Sequence, residues 1–229
     1  MKKVMRAMGA TYSLLIGFHI VAVSITCSDK SKADQNFASN APEPVQQLLE
    51  ARKADKIIPR EAQITSFSNG GSGCSLALAK KPKIYDGKVI VLNIPAMTAE
   101  VGGDAPIKDM RKFCQVNFNL EYSGDVSYAI EAFHSKVDLA LDGQQTAALK
   151  LLTYVGGETP QAEASHQWTG EQLSDEPVFD YLDRLIYTPC TKGRSLNVKS
   201  EIKLDRQGEG TATLKGPLYL ILKWKNCTP

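Results

Sequence analysis

Charge imbalance is nearly absent from this 229-residue sequence: 27 basic against 25 acidic residues leave a formal net charge of +2. That balance supplies no field strong enough to gather phosphates or an acidic membrane surface, so nucleic acid is not an expected partner. Histidine is scarce as well. Beyond the first 27 residues only His134 and His166 remain, in unlike contexts, and no zinc spacing connects them to each other or to the cysteines. Neither a metal site nor a cofactor is expected. The Gly-x-Ser-x-Gly elbow of many serine hydrolases is missing too, which leaves unremarkable serines beside His134 or His166. The clusters Gly70-Gly71-Ser72-Gly73, Gly102-Gly103 and Gly156-Gly157 do not precede helical runs, so they read as turns rather than phosphate cradles.

What is present begins with the grammar of an export signal. Lys2, Lys3 and Arg6 precede an uncharged run from Leu14 to Thr26, with small residues at Ala22 and Ser24. The run is shorter than the roughly 20 residues that cross a bilayer, which favours a signal over residues 1–27 against a transmembrane anchor. From Ser28 to about Ala62 the composition is that of a solvated tether, with Lys30, Lys32, Asp34, Pro42 and Pro44. Inside it Val45, Leu48, Leu49 and Ala54 have helical spacing, and Pro44 suits a first turn, so a short helix is expected over 44–55. That helix either leans on the following domain or offers a small apolar face to a partner.

Export changes what the five cysteines mean, because thiols that meet in a fold outside the cytosol are oxidised. Cys27 ends the apolar run, and Cys74, Cys114, Cys190 and Cys227 form an even set within the later domain. Cys27 is a candidate for lipid attachment after Ser24-Ile25-Thr26; ordinary cleavage would instead leave it free or discard it. The other four allow three pairings.

After Ile64 the hydrophobic period becomes two. Cys114, Val116, Phe118, Leu120 and Tyr122 alternate with Gln115, Asn117, Asn119 and Glu121, as in a half-buried antiparallel strand. Leu196, Val198, Ile202 and Leu204 repeat the pattern, as do Val137, Leu139 and Leu141, and Leu218, Leu220, Leu222 and Trp224. Further strands are expected at 88–94, 126–133, 146–155, 181–187 and 210–214. About eight or nine strands without a long helix indicate an all-β, antiparallel β-sandwich over 63–229. The segment from Gly156 to Val178, rich in Glu, Gln, Ser and Pro, reads as a variable surface loop.

The stretches around the cysteines carry a resemblance. Ile64-Thr65-Ser66, Gly71-Ser72-Gly73-Cys74, Arg111-Lys112-Phe113-Cys114-Gln115-Val116-Asn117, Thr188-Pro189-Cys190, Leu196-Asn197-Val198 and Trp224-Lys225-Asn226-Cys227 occur in that order. Together they resemble the domain-of-unknown-function 4360 family of secreted proteins. The chain departs from that family's pattern at Ser75, where proline is usual, and at Tyr187, where tryptophan precedes the third cysteine. The resemblance implies a secreted four-cysteine β domain and no particular activity. The pairing expected within it joins Cys74 to Cys114 and Cys190 to Cys227, enclosing 40 and 37 residue steps between strand ends.

The carboxylate pairs Asp138 with Asp142 and Asp175 with Glu176 could serve glycoside hydrolysis or calcium, though on a solvated face such charges are ordinary. Of the aromatic residues, Trp224 fits the core beside Cys227, and Trp168, in the polar stretch, is the candidate ligand contact, since exposed aromatic rings hold sugars. The expected function is therefore an exported, non-catalytic binding or surface-structural module, with a carbohydrate or a cell-surface protein as its extracellular ligand. A hydrolase of extracellular polysaccharide with carboxylate catalysis is the alternative. A monomer is expected, secreted or held at the cell envelope through the lipid.

Overall fold

The structure is a computed structural model that describes residues 41–59, 61–74, 80–191 and 193–227. The signal segment and Cys27 lie outside the described residues. The fold is all-β: two antiparallel sheets face each other, one short helix lies against the outside, and two disulfides staple the ends.

Among the described residues eleven strands build the sandwich. One sheet, called here the amide sheet, has the order β1-β5-β10-β7-β8, formed by Ala62–Gly70, Arg111–Tyr122, Leu196–Leu204, Thr146–Val155 and Gln161–Thr169. The other, the aromatic sheet, has the order β2-β3-β11-β6-β9, formed by Lys83–Tyr85, Val89–Leu92, Gly210–Asn226, Val126–Leu141 and Gln172–Tyr181. β4 (Met97–Val101) pairs with the first half of β11, continuing the strand position that β3 occupies along its second half.

The alternating runs become strands because one face of each meets the other sheet. Val116, Phe118, Leu149, Leu151, Val198 and Ile202 from the amide sheet share a single apolar core with Ile130, Phe133, Leu139, Leu214, Leu220 and Leu222 from the aromatic sheet. At one end Tyr122, Tyr128 and Trp224 pack ring against ring, with centroids 5.1–5.7 Å apart. Trp224 is buried there and donates its indole N–H to the Gly87 carbonyl.

Four of the expected strands are halves of two long ones. β6 runs unbroken through 134–136, and β11 joins 210–214 to 218–224 across a register break at Gly216-Pro217. The glycine is required at that crossing, because a Cβ on residue 216 would fall 2.1 Å from the Ile94 carbonyl oxygen. Two expectations are corrected. The segment 156–178 is not a loop: most of it forms β8 and β9, which close one edge of the sandwich. No strand spans 181–187, because the chain leaves the sheet after Tyr181 to reach Cys190.

The helix α1 (Glu43–Ala51) carries Val45 and Leu49 onto the outer face of the aromatic sheet, where they bury with Val89, Val91 and Tyr219. Arg52, just beyond it, pairs with Glu131 of β6 and with Asp55, which also accepts from Lys223. The helix thus leans on the domain and covers the β3–β11 half of that face.

Candidate functional site

The four cysteines of the domain are joined as Cys74–Cys114 and Cys190–Cys227, with Cα–Cα separations of 5.1 and 5.7 Å. The first fastens the turn after β1 to β5, and the second ties the segment following β9 to the end of β11. Trp168, expected in a polar loop, instead stands on β8 with its ring turned inward and only 6% exposed. Its Nε1–H donates to Glu176 Oε2 at 3.0 Å. Trp168 therefore presents no open ring to a ligand; it anchors one edge strand to the other.

The carboxylate pairs suggested by the sequence are not brought together as acid–base couples. Asp175 and Glu176 point to opposite faces of β9, since successive strand residues alternate. Asp142 sits in the turn after β6, where it accepts the backbone N–H groups of Gln144 and Glu209; those hydrogen bonds, Glu209 first, hold its carboxyl below the usual range. Asp138 instead faces Asp175 directly across β6 and β9, and Lys215 Nζ reaches the two at 3.1 and 3.5 Å. A recess of about 470 Å³ bordered by Glu100 and Glu209 lies beside β4 and β11. Both side chains are exposed, unlike the apolar setting that turns a carboxyl into a general acid.

The histidines are likewise committed. His134 Nδ1–H donates to the Val178 carbonyl at 3.0 Å, and burial lowers its pKa from the ordinary value. His166 Nδ1–H donates to Asp180 Oδ2 at 3.0 Å, which resembles the orienting half of a catalytic triad. Among the described residues no serine hydroxyl hydrogen-bonds its other nitrogen. No three metal-ligating side chains converge among the described residues either.

What the structure does assemble is an outward apolar surface on β9. Along much of this strand the usual alternation is inverted. Ser174, Glu176 and Asp180 face the interior side together with the buried Val178, and Trp168 and His166 bond the two acids, whereas Leu173, Asp175, Pro177, Phe179 and Tyr181 face solvent. Leu173 is 89% exposed, Tyr181 65% and Phe179 44%. Large apolar groups gathered on one exposed face mark a contact surface more often than chance does. The rings of Phe179 and Tyr181 meet edge to face with centroids 5.3 Å apart, so each holds the other's orientation.

Phe179 stands in register with His134 of β6, and His134 with Tyr219 of β11, forming one cross-strand row. His134 and Tyr219 stack at 5.6 Å, and α1 covers the Tyr219 end. Lys136, Asp138, Asp175 and Lys215 supply polar groups beside the rings. Neither Phe179 nor Tyr181 was singled out as a ligand contact from sequence. The signal that could have found them is the period-two spacing of Leu173, Phe179 and Tyr181 against Ser174, Glu176 and Asp180, hidden by the polar composition around it.

Residues 60–227 match the family described as "Domain of unknown function (DUF4360)". The chain belongs to this family. A relative from Arthroderma benhamiae, named "Uncharacterized secreted protein", is similar to this DUF4360 chain, with 25% identity over 203 residues, 84% of the chain and 77% of the relative. In the DUF4360 domain described here, two formed disulfides suit an oxidising, extracytoplasmic compartment.

Proposed function

We propose that this DUF4360 chain is an exported, non-catalytic binding module that holds a polysaccharide against the outward face of β9. The single observation that carries the reading is the exposure of Phe179 and Tyr181 on the outer face of β9, while Glu176 and Asp180 turn to the inner side beside the buried Val178. The C–H face of a sugar ring packs on an aromatic ring's electron-rich face, and its hydroxyls need nearby donors and acceptors. Phe179 and Tyr181 supply the first, and Lys136, His134 and the Asp138–Lys215–Asp175 cluster supply the second.

Export is supported by the N-terminal signal grammar, by the disulfides and by the secreted relative. Within the same reading, a lipid on Cys27 would hold the domain at the envelope through the tether of residues 28–62. Intact mass of the mature protein distinguishes the outcomes: an acyl increment on a chain beginning at Cys27 supports the anchor, and an unmodified chain opposes it. Pull-down on insoluble polysaccharides tests the binding surface. Phe179→Ala with Tyr181→Ala should weaken the retention that the parent chain shows about tenfold or more, and undiminished retention would refute the platform. Hydrolysis products released from the same polymers would favour the catalytic alternative, with Glu100→Gln and Glu209→Gln as its first variants.

A further inference from the structure

The opposite outer face, that of the amide sheet, has a different chemistry. Ser68, Asn117, Asn197, Tyr154 and Gln161 stand directly across from one another on β1, β5, β10, β7 and β8. Five strands about 4.8 Å apart make this row roughly 19 Å long. All five residues are uncharged, and each carries a hydrogen-bonding group; four of them keep solvent access, while Asn197 at the centre is 6% exposed.

The side chains are held in place by one another. Asn117 Nδ2 and Gln115 Nε2 both donate to Asn197 Oδ1, each at 3.1 Å, and Gln115 Nε2 also lies 2.9 Å from the Tyr154 hydroxyl oxygen. One step along β5, Asn119 Nδ2 donates to Ser66 Oγ at 2.8 Å, while Asn119 Oδ1 is buried without a protein partner. Arg111, Lys150, Lys199 and Glu201 lie to one side of the row, where they pair with one another and with Glu163; Lys203 lies on the same side, and Glu121 lies on the other, accepting from Gln63.

From this arrangement we infer that the outer face of the amide sheet is a second binding surface, for a neutral, extended, polyhydroxylated chain lying across the strands. Hydroxyl groups both donate and accept, as the amides, the Ser68 hydroxyl and the Tyr154 phenol do, so the two surfaces are complementary without any charge. Because the Gln115, Asn117 and Asn197 amides at the centre of the row are already held by their mutual bonds, little of their side-chain entropy remains to be lost on binding. An acidic polymer would gain nothing from an uncharged row, and this separates a neutral glycan from anionic ones. The inference stands on its own residues and does not require the β9 platform.

The test uses the full mature chain on microcrystalline cellulose and insoluble chitin as neutral probes, with alginate beads as the anionic one. Ser68→Asp with Gln161→Glu charges the two exposed ends of the row without touching the core. In a Phe179→Ala, Tyr181→Ala background this pair should weaken the residual binding to a neutral polymer about tenfold, the effect of roughly 1.4 kcal/mol. Tyr154→Phe, which removes one oxygen, should weaken it in the same direction with an unchanged melting temperature. Residual binding unaffected by these changes, no residual binding once Phe179 and Tyr181 are gone, or preference for alginate would each overturn the second surface. If the row variants abolish binding while Phe179→Ala and Tyr181→Ala leave it intact, the β9 reading fails and this one stands.

Discussion

Trp168 and Glu176 are joined across the edge of the sandwich, the indole N–H of β8 donating to the carboxylate of β9 at 3.0 Å. The two strands belong to different sheets, so this bond and the neighbouring His166–Asp180 pair, also 3.0 Å, close an edge where apolar groups are few. The inner side of β9 combines the buried Val178 with Glu176 and Asp180. Glu176 could not face inward without a donor, and the register that places Glu176 and Val178 inward turns Phe179 and Tyr181 outward.

Removing that donor should therefore destabilise the domain. Trp168→Phe keeps most of the ring but leaves a half-buried carboxylate without its partner, and the expected loss is about 1–3 kcal/mol in denaturant unfolding. Ligand retention by the folded fraction should be unchanged, because the indole is buried away from the β9 surface. A Trp168→Phe chain that is as stable as the parent would show that the bond contributes nothing.

The disulfides enclose 40 and 37 residue steps. Chain-entropy reasoning gives roughly 4 kcal/mol for each closure, comparable in sum with the net stability of an ordinary domain. Replacing Cys190 and Cys227 together by alanine should lower the unfolding free energy by about 4 kcal/mol, measured by denaturant titration. Full reduction of both bridges should unfold the domain or nearly so, as read by circular dichroism in the presence of a reductant.

Much of this framework was legible from sequence. β5, β7 and β10 follow the alternation, because their faces see core on one side and water on the other. α1 falls within the expected 44–55 apart from Glu43. β8 and β9 were not legible, since alternation signals a strand only when its apolar members are numerous and face the core. In β9 Val178 is the one large apolar residue at an inner position, among Ser174, Glu176 and Asp180, and a Pro177 at mid-strand argues for a loop until it is recognised as an edge-strand feature. For the same reason the aromatic contact was assigned to Trp168, which lies beside Glu176 inside the seam, rather than to Phe179 and Tyr181.

α1 should behave as part of the domain rather than as free tether. Leu49 is buried with Val89, Val91 and Tyr219. Leu49→Ala should cost about 2 kcal/mol, the low end for a buried leucine because a peripheral cluster can close around the gap. Thermal unfolding of the variant measures this, and a change within error would mean that the helix is not docked in solution.

His134 should make stability depend on pH. Burial holds its folded-state pKa below the ordinary histidine value, so the unfolded chain takes up its proton first as pH falls. The contribution is complete above the unfolded value of about 6.5 and is lost as pH drops from there toward the lower folded value. His134→Gln should flatten the stability profile in that window, as measured by urea unfolding at a series of pH values. An unchanged slope would assign the dependence to other groups.

The most direct test of the proposed function follows the β9 rings themselves. Chemical shifts of the Phe179 and Tyr181 side chains should be recorded while a soluble oligosaccharide, cut from whichever polymer retains the protein, is titrated in. A functional platform predicts saturable shifts of both rings that vanish in a Tyr181→Ala chain. Saturable binding that leaves the two rings unmoved would contradict it.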